Sequence, residues 1–191
     1  MHPLSYQPTK VSCWVTSMIN GLLFLSSGKD LEDPPLVPPK AYEALHKILS
    51  DEGVYYYTQA QLKELDKVLD IICQITKYRV IYHSKERVEP AIHSLHFRNQ
   101  VAVCDIEAGE HSILLNGGEG NWIYAFDPYW ANVNQPEFKK NCYEIQPHVE
   151  LGLVGVVNLK VDLGYFLSKR SLNGFQLGAV SKRFLTVIEK S

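Results

Sequence analysis

VAVCDIEAGEHSILLNGGEGNWIYAFDP, residues 101–128, contains three apolar segments separated by two short polar ones. The apolar segments run over 101–106, 112–116 and 122–126, and their length and composition are typical of β-strands. The connections at 107–110 and 117–120 are rich in glycine and polar residues, as tight turns are. We therefore predict three consecutive antiparallel strands joined by hairpins.

The sequence around this stretch predicts helices before the sheet and further strands after it. Ser12 is a plausible N-cap for an apolar helix from about Cys13 to Ser26, and Gly28 follows the end of that helix. A proline-rich connector at 33–39 separates it from the next helical pattern. Further predicted helices cover 39–49, 58–73 and 88–97, and further strands 79–82, 153–161 and 184–188. Helices first and an antiparallel sheet second define an α+β fold.

Length and composition indicate one globular domain spanning residues 1–191, with 46% hydrophobic and 21% charged residues. The net charge of −2 and the sparse basic residues argue against nucleic-acid binding. The four cysteines form no CxxC pair, which argues against a zinc ribbon or a disulfide scaffold and favours a reducing compartment.

The apolar run at 14–25 is too short to span a membrane and lacks the flanks of a signal peptide. We therefore expect a cytoplasmic protein without membrane contact, unless it is exported by a route that needs no such signal.

Four residues match the groups that catalysis by a cysteine nucleophile requires. Cys13 opens the first helix, whose free N–H groups favour a thiolate, and His111 opens a strand from which it can act as the base. Asp127 closes the next strand and can orient His111. Gln7, six residues before the cysteine, can supply an oxyanion donor together with the Cys13 N–H. The ordered set therefore predicts nucleophilic catalysis.

These residues resemble the papain-like cysteine peptidase superfamily. The matching features are Gln7, the pair Cys13-Trp14 at a helix start, His111 at a strand start and an acceptor after the next strand. Asp127-Pro128 is similar to the compact branch of bacteriocin-leader (double-glycine) processing peptidases, where Asp-Pro replaces the papain asparagine. The resemblance covers about residues 5–30 and 78–132.

The resemblance implies a papain-like α+β fold, with a nucleophile helix and a helical part packed on an antiparallel sheet. It implies a cysteine hydrolase that cleaves a peptide or related amide bond through a Cys-His-Asp triad and a thioester. The substrate is then a peptide or protein, and neither a metal nor an organic cofactor is required. Trp14 and Trp130 are candidates for the walls of the substrate cleft.

Two other functions remain open at this point. An acyltransferase or transglutaminase-like enzyme has the same triad but passes the acyl group to an amine. A catalytically inactive papain-like module binds a peptide without cutting it. The sequence leaves the substrate and the oligomeric state open.

Each site residue also has an ordinary structural interpretation. A buried cysteine can simply pack as a small hydrophobe, a histidine can belong to a hairpin turn, and Asp-Pro often ends a strand. His93 and His96 lack a third ligand for a metal site. Gly117-Gly-Glu-Gly120 lacks the following helix and lysine of a phosphate loop, so we interpret it as a turn.

Overall fold

The structure is a computed structural model that describes residues 13–26, 78–107, 111–128, 142–144, 157–170 and 175–190. The helices predicted at 39–49 and 58–73, and the connector at 33–39, lie outside these residues.

The described residues form helices and strands in an alternating order, with the sheet dominant. The helices are α1 (Cys13–Ser26), α2 (Val88–His93) and α3 (Leu163–Phe166). The strands are β1 (Tyr78–Ser84), β2 (Gln100–Ile106), β3 (His111–Glu119), β4 (Trp122–Phe126), β5 (Cys142–Glu144), β6 (Leu159–Asp162) and β7 (Phe184–Lys190).

The strands form one antiparallel sheet in the order β1-β7-β2-β3-β4-β6-β5. The predicted run of three hairpin-connected strands is confirmed as β2, β3 and β4 at the centre of this sheet. The last strand in the chain, β7, lies between β1 and β2 and pairs with both. The predicted α+β class with an antiparallel sheet is therefore confirmed.

Helix α1 lies on one face of the sheet and is buried along almost its whole length. Its apolar side chains pack with residues that alternate along the strands, because successive strand residues point to opposite faces. This core contains Trp14, Met18, Ile19, Leu22, Leu23 and Leu25 from the helix, with Val101, Val103, Leu114, Tyr124, Phe126 and Ile188 from the sheet. A Cβ on Gly21 would lie 3.0 Å from Ile188 Cδ1 and 3.1 Å from Val101 Cγ2, so glycine permits the close approach of helix to sheet.

The opposite face of the sheet carries a second core. Helices α2 and α3 and the segment 175–177 cover it, and burial on both faces makes the central strands apolar throughout. The principal members are Val88, Ile92, Phe166, Phe175 and Leu177, with Ala102, Cys104, Ile106, Ile113, Leu115, Leu159 and Leu185 from the strands.

Three predicted boundaries were wrong. Within the described residues, the strand predicted at 153–161 begins only at Leu159 and continues to Asp162. The predicted turn at 117–120 is mostly strand, since β3 continues through Gly117 and Gly118 to Glu119, with a bulge after Leu115. Gly120 alone has a positive φ, +58°, and with Asn121 forms the two-residue turn to β4. The helix predicted at 88–97 ends at His93, and a turn follows it.

No helix in the described residues is both long enough and apolar enough to cross a membrane.

Candidate active site

Cys13 is the first residue of α1, and this N-terminal end of the helix lies beside the start of β3. Its side chain is half-buried, whereas the next residue, Trp14, is 3% exposed and packs in the core. The apolar face of α1 fixes the helix against the sheet, and the position of the thiol follows from that packing. Cys13 therefore lies on a rigid element and still has access to solvent.

His111 and Asp127 are neighbours because a hairpin connects their strands. The β3–β4 ladder pairs Leu114 with Phe126, so the residue after β4 returns to the start of β3. His111 Nε2 and Asp127 Oδ1 are 2.7 Å apart, and the two side chains are 9% and 2% exposed. A hydrogen bond this short between buried groups fixes both the tautomer and the orientation of the imidazole ring.

The imidazole of His111 also hydrogen-bonds the thiol of Cys13. Because Nε2 is engaged with Asp127, the ring nitrogen left for the sulfur is Nδ1. The structure thus brings three of the predicted residues together in the order thiol, imidazole and carboxylate.

The electrostatics of this arrangement favour an ion pair. Burial alone would raise the pKa of Cys13, but the hydrogen bond and charge of His111 outweigh it, and the pKa is lowered. Burial alone would lower the pKa of His111, but hydrogen bonds to Asp127 and Cys13 outweigh it, and the pKa is raised. Both shifts stabilise a thiolate beside an imidazolium.

Ser112 is a neighbour of the thiol that the sequence analysis did not identify. Hydrogen bonding from its backbone N–H and its hydroxyl contributes to the lowered pKa of Cys13. Its carbonyl accepts a hydrogen bond of 3.3 Å from Ser17 Oγ, one helical turn after the cysteine. Since β4 pairs with β3 only from Leu114 onward, α1 takes up the backbone groups of Ser112 instead.

Asn158 hydrogen-bonds the backbone of Asp127, and the sequence did not predict this role either. The Asp127 N–H donates to Asn158 Oδ1 at 2.7 Å, and Asn158 Nδ2 donates to the Asp127 carbonyl at 2.8 Å. The Asn158 N–H in turn donates to the Ala125 carbonyl at 3.0 Å. The asparagine side chain thus continues the sheet pairing past the end of β4. An asparagine just before an apolar strand carries no signal of this role, because the pairing partner is 31 residues away.

The remaining predicted site residues fall into two groups. Trp14 is a buried core residue beside the nucleophile, and contact with a substrate stays a prediction. Gln7 and Trp130 lie outside the described residues, so the oxyanion role of Gln7 and the cleft role of Trp130 stay predictions as well.

The described residues contain no group of three His, Cys, Asp or Glu side chains placed to hold a metal ion. His93 and His96 are both exposed at the surface, on and after α2.

Comparisons with protein-family models, with curated proteins and with solved structures give no match for this chain. The functional assignment therefore depends on the site itself: a half-buried thiol at a helix start, hydrogen-bonded to a buried His–Asp pair. That arrangement can supply a nucleophile, a general base and a group that orients the base.

Proposed function

We propose that this protein is a cysteine-dependent hydrolase of papain-like fold that cleaves a peptide or related amide bond. The observation that carries the proposal is the hydrogen bonding of the Cys13 thiol with His111, whose Nε2 is in turn 2.7 Å from Asp127 Oδ1. A buried cysteine that served packing alone would have a raised pKa, as Cys104 has in the same sheet. The opposite shift at Cys13 favours a reactive thiol.

In the proposed reaction the Cys13 thiolate attacks the carbonyl carbon of the scissile amide and forms a tetrahedral intermediate. His111 donates its proton to the leaving nitrogen, the C–N bond breaks, and the acyl group remains on sulfur as a thioester. Neutral His111 then takes a proton from water, and the resulting hydroxide attacks the thioester. The acid product leaves, and the thiolate–imidazolium pair is restored.

Asp127 keeps His111 in the orientation that both proton transfers need. It stabilises the imidazolium through the buried hydrogen bond. In this proposal Gln7 and the Cys13 N–H stabilise the oxyanion, a contribution whose loss typically costs about 10²–10³ in rate. A reducing compartment fits the proposal, because it preserves the free thiol that the reaction requires.

The test is the rate of Cys13 alkylation by iodoacetamide as a function of pH, with peptide mapping to identify the labelled residue. We expect fast labelling that persists well below pH 7 in the intact protein. In His111→Ala we expect labelling to rise only near pH 8.5, the value of an unperturbed thiol. Cys104 is an internal control, since it is fully buried and should resist the reagent at every pH.

A profile that rises only near pH 8.5 in the unmodified protein would contradict the proposal and favour a binding module. If labelling behaves as expected, peptide and isopeptide substrates can be screened, and Cys13→Ala should abolish turnover of any substrate found.

A further inference from the structure

A second polar chain leads away from the thiol, on the side opposite to Asp127. Ser112 Oγ donates a hydrogen bond of 2.6 Å to Asp105 Oδ1, its cross-strand neighbour on β2. Hydrogen bonding from the same hydroxyl is one of the causes that lower the pKa of Cys13. Asp105 is partly buried, and the mechanism above gives it no role.

The Ser112 hydroxyl has one hydrogen and two acceptors that compete for it. A hydroxyl donates only one hydrogen bond, although it can accept two. When Asp105 is ionised, its carboxylate can only accept, so it takes the serine hydrogen across the 2.6 Å contact. When Asp105 is protonated, its own O–H can donate to Ser112 Oγ, and the serine hydrogen is then free for the thiolate.

We propose that Ser112 is a further hydrogen-bond donor to the Cys13 thiolate, and that Asp105 is a positioning residue that directs this donor. This inference rests on the proposed function. Protonated Asp105 turns the hydroxyl toward the sulfur and stabilises the thiolate. Ionised Asp105 turns it away. The nucleophile is thereby coupled to a second carboxyl group besides Asp127.

The charge of Asp105 changes within the pH range over which the Cys13 alkylation profile is followed. Burial raises the pKa of Asp105 to about 6, and the Ser112 hydrogen bond and the charge of His111 only partly oppose it. The ionisable groups that face it are His111 on β3 and, through Ser112, Cys13 on α1. Cys104 precedes it on β2, and Glu107 follows the end of that strand. Arg183, just before β7, acts on the neighbouring Cys104 and is paired with Glu89.

The experiment follows the acid limb of the Cys13 alkylation profile in Ser112→Ala, Asp105→Asn and the double variant. Ser112→Ala should raise the pH midpoint of Cys13 alkylation by about one unit, because this corresponds to the typical free energy of one hydrogen bond to a charged group. Asp105→Asn mimics the protonated acid and should lower the midpoint. In the Ser112→Ala background the same change should have little effect, since the hydroxyl that transmits it is absent.

Two controls separate this role from a general loss of structure. Ser112→Thr keeps the hydroxyl and should keep the original midpoint. Thr186→Val removes another buried hydroxyl, one on β7 without a hydrogen-bond partner in the described residues, and should leave the midpoint unchanged.

The outcomes distinguish this inference from the proposed function. If the unmodified protein shows a reactive thiolate but Asp105→Asn shifts the midpoint equally with and without Ser112, charge alone couples the groups and the inference is wrong. No shift in either single variant would also overturn it. An unperturbed thiol in the unmodified protein would overturn the proposed function and this inference together.

Discussion

Single hydrogen bonds decide how far each site residue departs from its ordinary chemistry. Cys13 and Cys104 are both buried to some degree, and their pKa values shift in opposite directions. His111 acts on Cys13 through a hydrogen bond as well as its charge, whereas Arg183 acts on Cys104 through its charge alone and does not outweigh burial. The proximity of Cys13, His111 and Asp127 could be predicted from the sequence, because a thiol, an imidazole and a carboxylate are groups that commonly occur together in sites for nucleophilic catalysis. Ser112 and Asn158 could not, because serine and asparagine have many structural uses and their partners become visible only in the folded sheet.

We expect Asn158→Ala to weaken the site without removing any group that reacts. The change leaves the buried N–H and carbonyl of Asp127 without their partners, which should cost about 1–3 kcal/mol of stability. It also releases Asp127 from its position against His111, so the acid limb of Cys13 alkylation should move toward neutral pH by about one unit. Urea unfolding and the alkylation profile measure the two effects. An unchanged profile would mean that the β3–β4 hairpin alone positions Asp127.

Asp105→Asn should stabilise the protein at neutral pH. The folded-state pKa of Asp105, about 6, lies above the ordinary value of 3.8, so the folded protein binds this proton more tightly than the unfolded chain. Stability from this group is therefore fully present below pH 3.8 and is lost as the pH rises through about 6. Removing the charge should recover up to about 3 kcal/mol above that pH.

Urea unfolding of the unmodified protein and of Asp105→Asn at pH 4 and pH 8 tests this prediction. The stability difference should be small at pH 4 and large at pH 8. An equal difference at both values would show that the substitution acts through packing and not through the charge.

At the scale of elements, local patterns identified the strands and helix that lie around the site. The predicted bounds of α1 and β4 match the structure, because β4 is an uninterrupted apolar run and the apolar pattern of α1 lies between the cap signal Ser12 and Gly28. The pattern failed at Gly117 and Gly118, where glycine serves packing in a strand and not a turn. A Cβ on Gly118 would lie 3.1 Å from the ring of Phe97, and one on Gly117 would lie 3.1 Å from Tyr124. The sequence does not reveal such contacts, since they depend on which side chains cross the strand.

The turn between β3 and β4 gives a prediction at this scale. Gly120 has a φ of +58° and open space around its Cα, so Gly120→Ala should cost only the backbone strain, about 1 kcal/mol. Gly120→Asn should cost less, because asparagine adopts positive φ more readily. Urea unfolding of both variants measures the difference. Equal stability of all three proteins would indicate that the turn relaxes to another conformation.

At the scale of the whole molecule, the arrangement of the sheet depends on contacts between distant parts of the chain. The strand at β7 could be predicted from its composition, but its place between β1 and β2 could not. Local periodicity contains no information about which strands become neighbours across about a hundred residues. The place of β6 in the sheet could not be predicted from the sequence either. This strand begins directly after Asn158 and pairs with β4.

Arg183 joins three distant segments just before β7. Its guanidinium donates to the carbonyl oxygens of Gly178 and Leu167 at 3.1 and 2.8 Å and to Glu89 Oε2 at 3.2 Å. The arginine side chain is 1% exposed, whereas Glu89 is 44% exposed and can be solvated by itself. The energetic weight of this cluster therefore lies in the buried carbonyl groups.

Arg183→Met should destabilise the protein by about 2–4 kcal/mol, since those carbonyls lose their donors. Arg183→Lys keeps the charge but lacks the planar group that reaches several acceptors, so it should recover only part of the loss. Urea unfolding measures the loss of stability. The Cys13 alkylation profile of the folded variants should stay unchanged, because Arg183 does not contact the thiol; a shifted profile would show that this cluster also shapes the site.

The place of β7 in the sheet also sets the order of events during synthesis. Cys13 is made early, but the helix that carries it packs against Ile188, and β2 cannot complete its pairing until β7 arrives. A chain of which only the first hundred residues have left the ribosome therefore contains Cys13 without the strand that completes its packing. If the proposed function is correct, we expect the thiol to become reactive only after β7 has joined the sheet.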